Sequence, residues 1–250
     1  MENWRYQYLL FLGDNSMMLG HRLSELCSHG PNLETDIAIT NISLDLFGQV
    51  RSYFQYAALL STEKTDEDQL AFGRTPNQYL NTVLTEQPNA DFGYVIARQF
   101  LFDAWHLPYL EALMESKDPK IAAVAAKSVK ECRYHIRFSS GWMNRLGDGT
   151  EESHNRLQAG FDSMFPYCSE LFIETEFEKR ARAENVSPDL GTIKVQFEER
   201  LNEVIASSGL KIPTFNPFIL NGKTGMHSEN LDHILKDLQF MLKEYPQHQW

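Results

Sequence analysis

The chain has 250 residues, a formal net charge of −11 and three cysteines. This acidic balance argues against nucleic acid as a partner, because neutralising phosphates requires clustered Lys and Arg. Three widely spaced cysteines without a CxxC predict core thiols in a reducing compartment. The N-terminal apolar run is too short and interrupted for a membrane span and has no cleavage site. We therefore expect a cytoplasmic protein with neither membrane nor nucleic-acid partners.

Apolar spacing predicts helices from the beginning of the chain. The first runs over about 4–27, and the second over 34–60, where apolar residues recur in steps of three and four. Residues 91–115 are apolar on nearly every side, which predicts a helix buried among several neighbours, and Pro108 should bend it. A fourth helix should open at Asp118 and Pro119, before the apolar stripe that follows them.

Later segments are less regular, but they still predict helices. These cover about 152–184 with a kink at Pro166, 188–206, and 225–243, while 207–225 is the one long irregular connection. No useful run alternates with period two, so strands are not expected. The fold class predicted is all-α: one ferritin-like helical bundle over residues 1–250 with additional C-terminal helices outside it.

Three predicted helices each carry an acid where a bundle could build a di-metal centre. Such centres use a Glu on each of two helices and a Glu-x-x-His on the other two, because i and i+3 share a helical face. In chain order the acids here give Asp45-x-x-Gly48, then Asp103, then Glu131-x-x-Tyr134. Both expected histidine positions lack an imidazole. We therefore predict no metal and no catalytic residue in this chain.

Without metal, the acids need another explanation. We expect a structural polar network of Asp45, Asp103, Lys127 and Glu131, although Asp103 could also be exposed or ion-paired, and Lys127 and His135 could form a simple ladder with Glu131.

The alternative is a divergent metal-dependent oxygenase. It would use these three acids together with His106, three residues after Asp103, and His135. A lone Asp-x-x-His is a weak signal, and two ions need about six protein ligands.

One short basic cluster stands out at Lys179, Arg180 and Arg182. Cations at a helix C-terminus usually complement the helix dipole, but this cluster could also hold phosphate. A polar segment, 74–81, leads into a predicted helix and is a second place where a ligand could bind. His227 and His233 are expected to have capping or surface roles.

Several separated motifs resemble one family. They are LGDN (12–15), SLDLFGQ (43–49), EQPN (86–89), ARQFLFDAWH (97–106), MESKDP (114–119), KECRYHIRF (130–138), GMHSENL (225–231) and PQHQW (246–250). Together they closely resemble the C-subunit family of bacterial phenylacetyl-CoA epoxidases. The match runs from about residue 8 to the C-terminus, interrupted mainly over 150–220.

This resemblance implies a non-catalytic, ferritin-like subunit of a multicomponent monooxygenase. In that family a homologous catalytic subunit holds the di-iron centre and epoxidises the ring of phenylacetyl-CoA, a reductase delivers electrons from NADPH, and small accessory subunits complete the complex. No cofactor is then expected in this chain, and the imidazoles missing at Gly48 and Tyr134 agree with that division.

The resemblance also makes two segments candidates for contacting the CoA end of the substrate. The candidate residues are Gln78, Tyr79, Leu80, Asn81, Lys179 and Arg180. Aromatic stretches at Tyr6, Tyr8 and Phe11, or at Phe215, Phe218 and Ile219, are candidate anchors for the partner subunit, and an independent CoA-binding module is a further possibility.

Overall fold

In the computed structural model of the chain, residues 3–214, 221–245 and 247 are described. Their secondary structure is entirely helical, and no strand occurs within these ranges. The α-helices are α1 (Trp4–Ser24), α2 (Leu33–Leu60), α3 (Glu67–Phe72), α4 (Phe92–Leu113), α5 (Pro119–Gly147), α6 (Glu151–Met164), α7 (Glu176–Ala183), α8 (Leu190–Ser208), α9 (Glu229–Leu238) and α10 (Phe240–Glu244). Short 3₁₀ turns lie at Pro76–Gln78, Val83–Glu86, Phe165–Phe172 and Gly222–Thr224. The predicted all-α, ferritin-like fold class is confirmed.

The bundle consists of α1, α2, α4 and α5, which pair as α1 with α2 and α4 with α5, and α2 also meets α5. Each long helix begins at a polar cap: the Asn32 and Asp91 side chains accept backbone amides at the starts of α2 and α4. Asp118 does the same for α5, with Pro119 as its first residue, as the sequence predicted.

Burial is distributed unequally over the four helices. In α4, 18 of 22 residues are buried, and in α1, 15 of 21, whereas α2 buries 10 of 28 and α5 buries 9 of 29. The reason is one-sided packing: α6 and α8 cover α4, and α7 covers α1. The C-terminal helices therefore lie on the α1 and α4 side of the bundle.

Two sequence expectations for this part of the fold were wrong in detail. The single helix predicted over 152–184 is two helices separated by the 3₁₀ segment Phe165–Phe172, because Pro166 ends the regular hydrogen bonding of α6 instead of kinking it. Cys27 is exposed just beyond α1, while Cys132 and Cys168 are core thiols as expected.

Of the candidate anchors, Tyr8 and Phe11 are fully buried in the core. Phe215, Phe218 and Ile219 lie outside the described residues, as does most of the PQHQW motif. Among the helices described, none has the length and apolarity needed to cross a bilayer.

Candidate functional site: the polar interior and the clamp beside it

The helical register places different residues at the bundle centre from those the acid spacing suggested. Tyr134 is 38 % exposed and its ring lies 6.3 Å from that of Phe138, so the expected Glu-x-x-His frame does not point inward. Gly48 likewise has open space beside it, and its buried neighbour is Gln49. The prediction that Gly48 and Tyr134 face the bundle centre is therefore wrong. The buried face of each helix instead includes the next residue, Gln49 on α2 and His135 on α5.

One polar chain crosses the centre between α1, α2, α5 and α4. Ser16 Oγ donates to Gln49 Oε1 at 3.3 Å, and Gln49 Nε2 donates to Cys132 Sγ at 3.7 Å. Cys132 Sγ then lies 3.6 Å from His106 Nδ1. Burial, and next the neighbouring His135, lower the pKa of His106 to about 3. Its imidazole is therefore neutral and can accept a hydrogen bond from the thiol.

Asp103 is buried to 1 % exposure, and no cation among the described residues forms an ion pair with it. Its carboxylate accepts hydrogen bonds from Gln99 Nε2 and from Ser139 Oγ, both at 2.7 Å. Burial raises the pKa of Asp103 to about 7 although these donors and His135 act in the opposite direction. The alternative of an exposed or ion-paired Asp103 is thus wrong, and Asp103 is part of a buried polar network as expected.

Asp45 and Glu131 lie at the border of this interior. Asp45 Oδ2 accepts from His135 Nε2 at 3.2 Å, and the His135 ring is fully buried. Burial, and then the charge of Asp45, raise the pKa of the half-buried Glu131. Lys127 is exposed and has no carboxylate within ion-pair distance among the described residues.

The expected network of Asp45, Asp103, Lys127 and Glu131 therefore needs correction. Asp103 takes its partners from α4 and α5, and Asp45 pairs with His135. Lys127 is exposed and acts on Glu131 only through its charge. In the part of the chain that the structure describes, no three His, Cys, Asp or Glu side chains converge as they would around a metal ion. The residues present do not fit a di-iron centre.

A second polar cluster, which we call the clamp, fastens the connection between α3 and α4 (residues 73–91). Its members are Asp14, Arg74, Glu86, Arg98, Glu170, Glu178, Lys223 and His227. Arg74 forms a buried ion pair with Asp14, and Arg98 donates to the Gln87 carbonyl and to Asn89. Burial lowers the pKa of Arg98 to about 9.

The C-terminal side of the clamp brings together residues far apart in the chain. The Lys223 ammonium and the Glu178 carboxylate pair at 3.0 Å, and both are buried. Glu170 accepts from the backbone amides of Val83 and Lys223, and burial raises its pKa to about 7. His227, expected to have a capping or surface role, instead bonds to buried Glu86.

The candidate substrate segment, residues 78–81, forms part of this clamped region. The Tyr79 and Asn81 side chains are buried, and Asn81 donates to Glu86 at 3.0 Å. Leu80 is half-buried and donates its backbone amide to Asp14, whereas Gln78 is exposed and caps the turn at Thr75. Of the four, Gln78 and Leu80 are the side chains that a ligand at the surface could reach.

The candidate cations lie on the exposed face of α7. Lys179 pairs with Glu176 at 2.6 Å, Arg182 pairs with Glu174, and Arg180 is exposed. Lys223 connects this helix to the 78–81 segment: its ammonium bonds Glu178, and the adjacent Gly222 packs against the Asn81 carbonyl. The two predicted segments are thus linked through the buried Lys223 and Gly222.

Sequence reasoning missed Gln49, Gln99 and Ser139 in the interior, and Glu86 and Lys223 in the clamp. It also missed the polar contacts that Cys132 and His227 make. The interior residues carried a signal, because each falls on the apolar stripe of its helix, where a polar side chain needs a partner. The clamp pairs join residues separated by up to 141 positions. Helical spacing cannot reveal contacts at that distance.

Similarity to known proteins shows the family of this chain. The chain is similar to the C-subunit of the 1,2-phenylacetyl-CoA epoxidase of Escherichia coli (strain K12), with 42% identity over 243 residues that cover 97% of this chain and 98% of that protein. The resemblance seen in the sequence motifs is thereby confirmed. The family model described as phenylacetic acid catabolic protein matches residues 2–250. The chain belongs to the phenylacetic acid catabolic protein family.

Proposed function

We propose that this chain is the non-catalytic subunit of a multicomponent phenylacetyl-CoA epoxidase that acts in phenylacetate catabolism. Its role there is to pair with the catalytic di-iron subunit and stabilise it. The observation that carries the proposal is similarity, over almost the full length of both chains, to the C-subunit of such an epoxidase. A reductase and small accessory subunits would complete the complex.

The polar interior supports a role without chemistry in this chain. A di-iron site needs carboxylates and imidazoles that face a common space. Here His106 bonds to a thiol, His135 bonds to Asp45, and Asp103 bonds to an amide and a hydroxyl. The divergent-oxygenase alternative would require these side chains to leave those partners, and no contact in the described residues favours it.

The clamp suggests how this subunit would support its partner. Arg74 with Asp14 and Lys223 with Glu178 are buried charge pairs. Separating such a pair leaves an uncompensated buried charge and strongly destabilises the fold, so each pair fixes the geometry of the segments it joins. A rigid surface loses little conformational entropy on binding. A subunit fastened internally in this way would keep its shape while the partner admits a large CoA thioester.

The same region could contact the nucleotide end of the substrate. CoA carries a pyrophosphate and a ribose phosphate, which Arg and Lys bind by charge-assisted hydrogen bonds. Lys179 and Arg180 on α7, with Gln78 and Leu80 on the adjoining segment, are the accessible members of the predicted set. Tyr79 and Asn81 would act through the backbone, since their side chains are buried.

Pairing is tested by co-expressing this chain with the catalytic di-iron subunit of the same epoxidase. A complex that survives gel filtration at micromolar concentration, and a catalytic subunit that unfolds at a higher temperature inside the complex, are the expected results. Separate elution of the two chains would contradict the proposal.

The substrate contact is tested in the assembled complex. Changing Lys179 and Arg180 to Ala should raise the KM for the CoA ester by roughly tenfold, equivalent to about 1.4 kcal/mol of lost binding. The matched control is Arg156→Ala, because Arg156 is also an exposed cation paired with a glutamate on its own helix. An unchanged KM in the double variant would remove these two residues from the substrate site.

A further inference from the structure

One side of the helical bundle has no covering layer in the described part of the chain. The C-terminal helices pack on α1, α4 and one edge of α5, whereas α2 packs on α1, on the short α3 and on α5. Both α2 and α5 have 28 or 29 residues, so their shared outer surface is roughly 42 Å long. At a width of roughly 20 Å for two helices, it offers about 800 Å², which is the area that a stable interface uses on each partner.

The α2 half of this surface carries exposed apolar side chains. Leu33 is 70 % exposed, Ile37 51 % and Leu44 60 %, and their spacing places them on one helical face. Gly48 continues the same face and has no atom near the position where a Cβ would be. Large exposed leucines beside an open glycine are typical of a surface against which another helix packs closely.

The α5 half carries cations in a molecule that is otherwise acidic. Six basic residues and one acid occupy this helix, although the whole chain has a net charge of −11. One stripe of exposed residues runs along it: Lys127, Lys130, Tyr134, Arg137, Gly141 and Arg145. Within the described ranges, none of the four cations in this stripe has a carboxylate at ion-pair distance, whereas Arg133, beside it, pairs with Glu111.

The two halves meet in a cleft between the start of α2 and the end of α5. Its volume is about 500 Å³, and Ala38, Tyr134 and Gly141 are among the residues that line it. Arg137 lies over the Tyr134 ring at 5.6 Å, and Arg145 lies over Trp142 at 4.7 Å. Stacking holds each guanidinium in place while its hydrogen-bond donors remain available.

We propose that this α2/α5 face is the docking surface for the catalytic subunit. The exposed leucines require an apolar centre on the partner, and the four unpaired cations require acidic side chains around it. This inference rests on the proposed function, since it assigns a location to the pairing stated there. The interface then lies on the face of the bundle that α6, α7 and α8 leave largely uncovered.

The test measures the dissociation constant between this full-length chain and the separately purified catalytic subunit, at low and at high salt. Leu44→Asp should raise it by about 30-fold or more, as expected for an apolar residue at the centre of an interface. Arg137→Glu should raise it by roughly tenfold at low salt and reduce its salt dependence. Both positions are exposed, so circular dichroism should show the folded chain.

Matched controls are Val195→Asp on α8 and Lys236→Glu on α9, since Val195 is 54 % exposed and Lys236 is exposed. Both should bind within twofold of the unmodified chain. If Leu44→Asp and Arg137→Glu also bind within twofold, the location is wrong and the proposed function stands. If the unmodified chain does not bind at all, the proposed function fails with it. Self-association of this chain that Leu44→Asp abolishes would assign the face to a second copy and overturn the proposal.

Discussion

His227 Nδ1 lies 2.9 Å from Glu86 Oε2, although the two residues are 141 positions apart in the chain. The other ring nitrogen lies 2.9 Å from the Tyr79 carbonyl oxygen. Both partners accept hydrogen bonds, so the two ring nitrogens can donate to both at once when the imidazole is protonated. Burial lowers the pKa of His227, but the hydrogen bond and charge of Glu86 outweigh burial, and the net pKa is raised.

We therefore expect His227 to stabilise the fold in a pH-dependent way. Because its pKa is raised on folding, the contribution is complete below the unfolded value of about 6.5 and is lost as pH rises through the folded value. His227→Ala should lower the free energy of unfolding by roughly 3 kcal/mol at pH 6 and by less at pH 9. Urea unfolding at both pH values measures this. Exposed His233→Ala is the control, and equal losses at both pH values in His227→Ala would contradict the assignment.

Asp103 should also lower the stability of the fold as pH rises, but over a more acidic range than His227. Its folded pKa of about 7 exceeds the ordinary carboxyl value, so between about pH 4 and 7 the unfolded chain has released a proton that the folded chain retains. Stability then falls as pH rises through this window. Asp103→Asn removes that fall and should be more stable than the unmodified chain at pH 8, by on the order of 3 kcal/mol. Parallel curves of unfolding free energy against pH for the two proteins between pH 4 and 8 would contradict a buried carboxyl with a raised pKa.

Gly160 marks a close approach between α6 and α4. A Cβ there would lie 2.8 Å from the Tyr94 backbone, which cannot move aside without shifting α4. Gly160→Ala should therefore cost about 2 kcal/mol of unfolding free energy. Gly48→Ala is the matched control, because nothing lies near its Cβ position and alanine favours the helix by roughly 0.8 kcal/mol. Thermal unfolding of both variants measures the difference. An unchanged unfolding free energy in Gly160→Ala would mean that the helices are less closely packed than described.

The three thiols should differ sharply in reactivity. Cys27 is exposed, whereas burial raises the pKa of Cys132 and of Cys168 well above the ordinary thiol value. Since the thiolate is the reactive form, a disulfide reagent should label one cysteine quickly in the native chain and three after unfolding. Cys27→Ser should abolish the fast phase. Fast labelling of a second thiol would show that the interior around Cys132 or Cys168 opens.

Much of the fold was predictable because its helices are long and have strong local signals. The caps at Asn32, Asp91 and Asp118 and the apolar stripes fixed α2, α4 and α5 to within a few residues. The segment around Pro166 was not predicted correctly, since periodicity alone does not distinguish a kinked helix from two helices joined by a 3₁₀ turn. The family was recognisable from motifs spread over the whole chain.

The site was less predictable, for a physical reason that Asp103 illustrates. Its flanking residues showed that it had to be buried or narrowly exposed, but its partners Gln99 and Ser139 depend on how α4 and α5 face each other. The orientation of α5 about its axis differs from the expected one by about one residue, so Tyr134 lies at the surface and not in the interior. Acid spacing gave the correct helices but not their inward faces.

We expect the oxygen chemistry to belong to the partner subunit and this chain to hold no iron. The most direct measurement is iron content by mass spectrometry after the iron-loaded active complex is separated into its subunits under native conditions. We expect the iron to remain with the catalytic subunit, with less than about 0.1 equivalent in this chain. The reason is that this chain does not supply the ligands that a di-iron bundle needs. Stoichiometric iron in this chain that is lost on changing Asp103 or His106 to Ala would contradict the account and support the oxygenase alternative.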